Sequence, residues 1–197
     1  MATTGLTTFN LDMNDLIEEA FERCGKELRT GYDMRTARRS LNLLTVEWAN
    51  RGINLWTIEQ GSIPMVTGQA TYSLPVDTID LLDQVIRTGT GQNQVDINIT
   101  RISESTYSTI PTKNAQGRPI QVWINRQSGA QYPVGGQPNT TDPLTGIDSP
   151  NINVWPTPNP PGTQYTFVYW RMRRVQDAGT GVSDQDIPFR FIPCMVA

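Results

Sequence analysis

Histidine is absent from this sequence of 197 residues. Its absence excludes Ser-His-Asp and Cys-His catalysis, histidine-ligated zinc and any proton shuttle built on imidazole. Cysteine is almost as scarce, because only Cys24 and Cys194 occur and they stand near opposite ends of the chain. Two such residues offer neither a metal-ligand spacing nor a disulfide framework. We expect both to be buried structural thiols of a protein in a reducing compartment.

Charged residues and long apolar segments are also in short supply. Only 18% of the residues are charged and the net charge is −3, so a strongly basic surface that wraps nucleic acid is excluded. No run of about 18 apolar residues predicts a membrane span, and the opening MATTGLTTFN lacks the regions of a signal peptide. The 16 glycines and 14 prolines predict many turns, while five tryptophans and six tyrosines supply surface for a folded core.

Two helices are predicted within residues 1–54, the first domain. Asp12 is the expected N-cap of the first, which runs to about Cys24 with Gly25 just beyond it. Asp33 is the expected N-cap of the second, and Gly52 ends it. Apolar residues recur three and four positions apart in each helix, which predicts an antiparallel pair with one buried face each. These residues are Leu16, Ile17, Ala20, Phe21 and Cys24, then Met34, Ala37, Leu41, Leu44 and Trp48.

Residues 55–183 form the second predicted domain, where the apolar period is nearer two. Val95, Ile97 and Ile99 alternate with polar residues, the pattern of a sheet with one solvated face. The fold class predicted is therefore α+β, a helical pair with an inserted antiparallel β-sandwich or small barrel. The predicted strands are Leu55–Gln60, Ile63–Val66, Ala70–Leu74, Leu82–Thr88, Val95–Arg101, Ile120–Asn125, Asn151–Trp155 and Gln164–Arg174. One helical turn over 103–108, capped by Ser103, interrupts them.

Two segments depart from these patterns. Residues 127–150 have no period and are rich in Gly, Pro, Asn and Thr, so they predict a long surface loop, either a partner contact or a passive insertion. In the third part, 184–197, Pro188 is expected to open a helix with Phe189, Ile192, Met195 and Val196 on its apolar face. Such an apolar end either docks against a partner or the core, or belongs to a helix that continues in the full-length protein. We expect the continued helix, which would complete a bundle with the first two.

No motif in the chain selects a reaction. A glycosidase needs two carboxylates across a cleft, and nothing in the spacing selects a pair among Glu59, Asp77, Asp80, Asp83 and Glu104. The stretch TGTGQ at 88–92 favours a turn over a phosphate cradle. The spacing of Asp142 and Asp148 is not that of a calcium loop. We predict no catalytic residue, no cofactor and no metal site.

Candidate partner-binding residues come from the charge pattern. Three arginines share one side of the second helix, either as a solvated face or as a surface for an acidic partner. Three further arginines lie at the end of the last long strand. Arginines among aromatic residues either contact nucleic-acid phosphates or form the solvated end of a buried strand. One tyrosine lies in the long loop. The candidates are Arg35, Arg38 and Arg39, then Arg171, Arg173 and Arg174, and Tyr132.

The order of the segments resembles that of the head-to-tail connector, or adaptor, proteins of short-tailed bacteriophages. In those proteins a helix with the pattern W-x-x-RG-x-x-LW leads into a β-rich insertion, and a D-x-P-x-x-F/Y pattern leads back to helix. The matching stretches here are RRSLNLLTVEWANRGINLWTIEQGSI, GQATYSLPVDTIDLLDQVIR, ITRISESTYSTIPTKNAQGRPIQVWINR, NINVWPTPN and DIPFRFIPCMVA. These stretches follow one another in the same order as in the adaptor proteins and cover most of the chain. The 127–150 loop is not part of the resemblance.

The resemblance implies a structural role in the virion. Adaptors of this kind assemble as rings, typically of twelve copies, beneath the portal protein and extend the DNA channel towards the tail nozzle. It implies a portal-proximal helical part, a β domain that meets the nozzle and fibre proteins, and genomic DNA that passes without specific binding. The expected location is the portal vertex of the virion, and the host cytoplasm during assembly. The alternative is a glycan-binding or other tail-associated β-sandwich module.

Overall fold

The chain folds into two units in the computed structural model, which describes residues 11–28, 31–89, 91–126, 150–160, 165–177 and 184–197. The helical unit comprises Met1–Thr57 and Val175–Ala197, and the sheet unit is the continuous segment Ile58–Arg174. The fold is mixed α+β, as the sequence predicts. The helices in the described ranges are α1 (Met13–Arg23), α2 (Gly31–Asn50), α3 (Glu104–Ser108) and α4 (Ile192–Val196). Among these residues no helix combines the length and the hydropathy needed to cross a membrane.

The ends of α1 follow the local signals in the sequence. The Asp12 carboxylate accepts a hydrogen bond from the backbone N–H of Asp15 at 2.9 Å, and Gly25 adopts a φ of 69° just past the helix. The prediction that Asp33 caps α2 is wrong, because the helix begins two residues earlier at Gly31. Asp33 lies instead in the first turn, where the helix dipole also favours a carboxylate.

A single apolar cluster holds the helical unit together. Met13, Leu16 and Ile17 of α1 pack with Leu41 of α2 and with the end of α4. The predicted burial of both cysteines is wrong, since Cys24 and Cys194 are exposed. Cys24 is exposed because it lies beyond the last residue of α1, and Cys194 because it precedes the buried residues of α4.

Pro188 directly precedes the C-terminal helical segment with an extended ψ of 140°, so the prediction that it occupies the first helical position is wrong by one residue. A 3-10 turn over Phe189–Phe191 follows it and leads directly into α4. Met195 and Val196 are buried in the cluster of the helical unit. The assignment of Phe189 to the apolar face is wrong, because the tighter 3-10 turn leaves its side chain 55% exposed.

The sheet unit contains two four-stranded sheets and one two-stranded pair among its described residues. The first sheet has the order β1-β10-β3-β4, the second β2-β8-β7-β5, and the pair is β6-β9. The strands are β1 (Ile58–Pro64), β2 (Thr71–Ser73), β3 (Thr78–Thr88), β4 (Val95–Asn98), β5 (Thr100–Ile102), β6 (Gln116–Gly117), β7 (Gln121–Asn125), β8 (Asn151–Trp155), β9 (Thr157–Pro158) and β10 (Tyr165–Arg173).

One hydrophobic cluster takes side chains from both four-stranded sheets. Ile86, Phe167 and Tyr169 come from the first sheet, and Val122 and Ile152 from the second. The barrel alternative is wrong over the described strands, because both strand orders are open. The pairing is also not antiparallel throughout, since β5 runs parallel to β7 and β6 parallel to β9.

Two strand boundaries differ from the prediction for tertiary reasons. The predicted strand Val95–Arg101 is divided at the buried Ile99, where the chain passes from β4 in the first sheet to β5 in the second. The predicted break between Gln60 and Ile63 does not exist, because β1 runs through Gly61. The Tyr169 ring lies in the space that a β-carbon at Gly61 would occupy. The glycine therefore makes room for an aromatic ring.

Candidate interaction surfaces

The three arginines of α2 do not share one environment. Arg35 and Arg39 are exposed, and neither forms an ion pair with any residue the structure describes. Arg38 is partly buried, and its Nε lies out of solvent without a hydrogen-bond partner in the described part of the chain. The structure thus separates Arg38 from the other two, which remain available to a partner.

Arg35 and Arg39 belong to a longer exposed surface that the sequence analysis missed. Tyr32, Leu43 and Val46 are 67%, 65% and 57% exposed. Together these five residues follow one another at steps of three and four, so they form a single line along α2, which we name the α2 stripe. The sequence does carry a signal for this surface. Tyr32, Leu43 and Val46 form a second apolar period on α2, opposite the buried one, and Arg35 and Arg39 interrupt it.

A groove of about 420 Å³ runs between α1 and α4 in the same unit. Leu11, Ile192 and Val196 supply its apolar surface. Its acidic residues recur along one side of α1, and Asp15, Glu18 and Glu22 are all exposed. Glu19 and Arg23 also line it and form an ion pair with each other at 2.8 Å, so Asp15, Glu18 and Glu22 carry its unbalanced charge. We name this feature the acidic groove.

The arginines at the end of β10 lie in a network of ion pairs. Arg171 Nη1 donates to the Asp77 carboxylate at 2.5 Å and Nη2 to Glu59 at 2.8 Å. Arg173 Nε donates to the other oxygen of Glu59 at 2.5 Å. The two arginine side chains are only 12% and 11% exposed. Their guanidinium groups are therefore occupied within the sheet unit, while Arg174 next to them is exposed.

The Arg171 guanidinium, through its hydrogen bond, holds the pKa of Asp77 below the ordinary 3.8. A carboxylate with a lowered folded-state pKa stabilises the fold above its ordinary pKa, and this contribution disappears as the pH falls through the folded-state value. Asp77 is therefore ionised at neutral pH, which is unsuitable for a general acid.

The Asp77→Asn variant is expected to lose stability at neutral pH and to become less sensitive to acid. In wild type, the free energy of unfolding should fall as the pH drops below about 4. In the variant this fall should be smaller but not absent, since Arg87 also lowers the pKa of Asp96. Urea unfolding across that pH range measures both slopes. Equal slopes would contradict the role given to Asp77.

A second network joins the two four-stranded sheets at Asp80. This carboxylate accepts hydrogen bonds from Arg101 Nη2 and Arg126 Nε, both at 3.0 Å. Arg101 also donates to the backbone carbonyl of Leu81 at 3.2 Å. Arg101 lies in β5 of the second sheet, Arg126 directly follows β7 of the same sheet, and Asp80 lies in β3 of the first, so no local pattern in the sequence could have paired them.

A groove of about 510 Å³ lies beside this network. Arg126, Trp123, Asn125 and Glu104 are among the residues that line it. The Trp123 ring stacks against Tyr107 of α3 with 5.3 Å between ring centres and 28° between planes. Arginine, planar polar side chains and an aromatic ring thus meet on one surface, a combination suited to polar ligands with an apolar face.

Three of the acidic candidates, Glu59, Asp77 and Asp80, are bound by arginines. The described part of the chain contains no group of three or more acidic or thiol side chains that could hold a metal ion. Tyr132, Asp142, Asp148 and the 127–149 portion of the predicted loop lie outside the described residues.

An aromatic cluster brings the two distant motifs of the helical unit together. The Phe191 ring centre lies 5.7 Å from that of Trp48 and 5.3 Å from that of Trp56. Trp56 Nε1 also donates to the backbone carbonyl of Asp186 at 2.8 Å. Asp186 in turn accepts a hydrogen bond from the backbone N–H of Gln176 at 3.0 Å. We name Trp48, Trp56 and Phe191 the aromatic clasp.

The clasp lies where the chain leaves the helical unit, at Thr57, and where it returns, at Val175. Its three residues belong to the W-x-x-RG-x-x-LW and D-x-P-x-x-F stretches. These stretches are far apart in the sequence, since Trp56 and Asp186 are separated by 130 positions. A comparison of the chain with protein-family models found no match.

Proposed function

We propose that this chain is a non-enzymatic structural protein, an adaptor subunit that forms a ring between the portal and the tail nozzle of a short-tailed bacteriophage. In this proposal the helical unit is a bundle completed by the C-terminal segment and lies next to the portal. The sheet unit is an inserted β-sandwich that meets the nozzle and fibre proteins. The assembled ring, of about twelve copies, extends the channel through which the DNA leaves.

The observation that carries the proposal is the aromatic clasp. A helical unit made from both ends of the chain needs a contact that joins the segments before and after the insertion. Trp56 and Phe191 supply it through ring packing, and the Trp56–Asp186 hydrogen bond adds to it. The residues that resemble the adaptor pattern are thus the residues that close the unit, which supports reading the two motifs as parts of one architecture.

The ion pairs support a role without catalysis. A glycosidase acid needs a raised pKa, so that the carboxyl group carries a proton to donate. Here the Arg171 guanidinium holds the pKa of Asp77 low, and Glu59 shares the same network. These carboxylates therefore act as structural anions.

In the proposed mechanism, free subunits are monomeric or weakly associated, and docking on the portal orders their ends. Neighbouring subunits then bury apolar surface, and the new lower rim recruits the nozzle. Arg35 and Arg39 are the proposed partner contacts on the helical unit, with Arg38 beside them. A mildly acidic lumen lets the DNA slide rather than bind.

The test is the native mass of the full-length protein, alone and mixed with the portal of the same virus, together with particle images of the mixture. We expect a small species alone and a ring stacked on the portal in the mixture. A monomer that persists and does not attach to the portal would refute the proposal.

A second function is favoured by the groove beside Trp123. Aromatic rings that stack on sugar faces, with planar polar side chains such as Asn125 and Arg126 nearby, are suited to oligosaccharides. A glycan-binding module would bind oligosaccharide as a monomer, and the Trp123→Ala variant would abolish that binding. Binding of this kind without portal attachment would favour the glycan function over the adaptor.

A further inference from the structure

The α2 stripe is an exposed surface of mixed apolar and basic character. More than half of the surface of Tyr32, Leu43 and Val46 is accessible to solvent, although these side chains gain free energy by burial. Arg35 and Arg39 stand among them on the same line. An apolar patch of this kind with charged neighbours is typical of a protein–protein interface.

The acidic groove has the complementary character. Its apolar lining comes from Leu11, Ile192 and Val196, and its exposed charges from Glu18 and Glu22 of α1, with Asp15 in line. The α2 stripe and the acidic groove are therefore complementary. Both have apolar side chains to bury against each other, and the two arginines of the stripe are opposite in charge to the carboxylates of the groove.

The two surfaces of one copy cannot meet each other. The side of α2 that packs on α1 and α4 carries Met34, Ala37 and Leu41. The α2 stripe lies on the opposite side of this helix, because its positions are offset from theirs by half a turn. Every other copy of the chain, however, carries the same acidic groove and can therefore serve as the partner of the α2 stripe.

We propose that the α2 stripe of one copy docks into the acidic groove of the next, so that copies associate head to tail. This inference rests on the proposed function, since it names the neighbouring copy as the partner of Arg35 and Arg39 in the ring. Two stripes facing each other would place arginines against arginines, which disfavours a symmetric dimer. A head-to-tail contact that closes by rotation generates a ring.

Charge-swapped variants of the full chain test this contact without any portal. One variant carries Arg35→Glu and Arg39→Glu, and the other carries Glu18→Arg and Glu22→Arg. Each variant alone places like charges at the contact, so we expect its self-association to weaken by about tenfold or more. In an equimolar mixture every contact between the two variants again joins opposite charges. The mixture is therefore expected to recover the association of the wild type.

Sedimentation equilibrium over a range of protein concentrations measures the association constants, and circular dichroism checks the fold of each variant. The matched control carries Lys113→Glu and Arg118→Glu, which make the same charge change at exposed positions of the sheet unit. It should associate like the wild type. The Leu43→Ser variant should associate more weakly without any change of charge.

The outcomes separate this contact from the adaptor function. Variants that associate like the wild type, or a mixture that associates no better than its components, would overturn the head-to-tail contact even if the wild type attaches to the portal. Recovery in the mixture would support the contact even if the wild type ignores the portal, in which case only the adaptor function fails.

Discussion

Replacing Phe191 by alanine is expected to lower the free energy of unfolding of the helical unit by about 2–3 kcal/mol. The substitution removes the ring that packs on both Trp48 and Trp56. It leaves the Trp56–Asp186 hydrogen bond as the remaining link of the clasp. Hydrogen exchange of α2 and α4 amides under native conditions reports the loss in this unit, since local opening exposes those amides.

Phe189 provides the matched control for this substitution. It belongs to the same 3-10 turn, has the same side chain and is 55% exposed. The Phe189→Ala variant should therefore lower the free energy of unfolding by clearly less than the Phe191→Ala variant does. Equal effects of the two substitutions would contradict the role of the clasp. In the adaptor proposal, the Phe191→Ala variant should also attach to the portal less well while its sheet unit stays folded.

Replacing Arg171 by alanine is expected to destabilise the sheet unit by about 1–2 kcal/mol, because its two carboxylate partners are 42% exposed and are partly solvated when it is removed. Its side chain is largely buried and binds Asp77 and Glu59 at once, so its removal leaves two carboxylates without their shared partner. β10 pairs with both β1 and β3, which places this loss next to the centre of the first sheet. Urea unfolding together with hydrogen exchange of the β10 amides measures the effect.

Two further variants show whether the effect arises from the ion pairs. Arg174→Ala removes an exposed arginine from the same chain segment and should cost less than about 0.5 kcal/mol. Arg171→Lys keeps the charge but loses the forked geometry that reaches both carboxylates, so an intermediate loss is expected. A loss at Arg174 as large as that at Arg171 would show that the network is not what stabilises this end of β10.

The sequence predicted best those features that depend on neighbouring residues. The Asp12 cap of α1, the Ser103 cap of α3 and the strand Asn151–Trp155 all agree with the structure. A cap requires only a side chain and an N–H three residues away, and a strand bounded by turns requires only its own alternation. Such signals are complete within a short window of sequence.

The errors arose where distant residues decide the outcome. The sequence predicts a break between Gln60 and Ile63, but the ring of Tyr169 occupies the space beside Gly61 and β1 continues through it. The stretch Val95–Arg101 alternates like one strand, yet each half pairs with a different sheet. Cys24 follows the apolar period of α1 but lies beyond its last turn, so it is exposed.

The α+β class, the N-caps of α1 and α3 and the lack of imidazole chemistry followed from the amino-acid sequence, because composition and short-range periodicity are sufficient for these. Only the tertiary structure decided what each charged group does. Arg171 is bound by carboxylates 94 and 112 positions away, whereas Arg39 stays exposed among apolar residues. The physical reason is that the strength of an ion pair depends on distance and burial, which the folded chain sets and the local sequence does not.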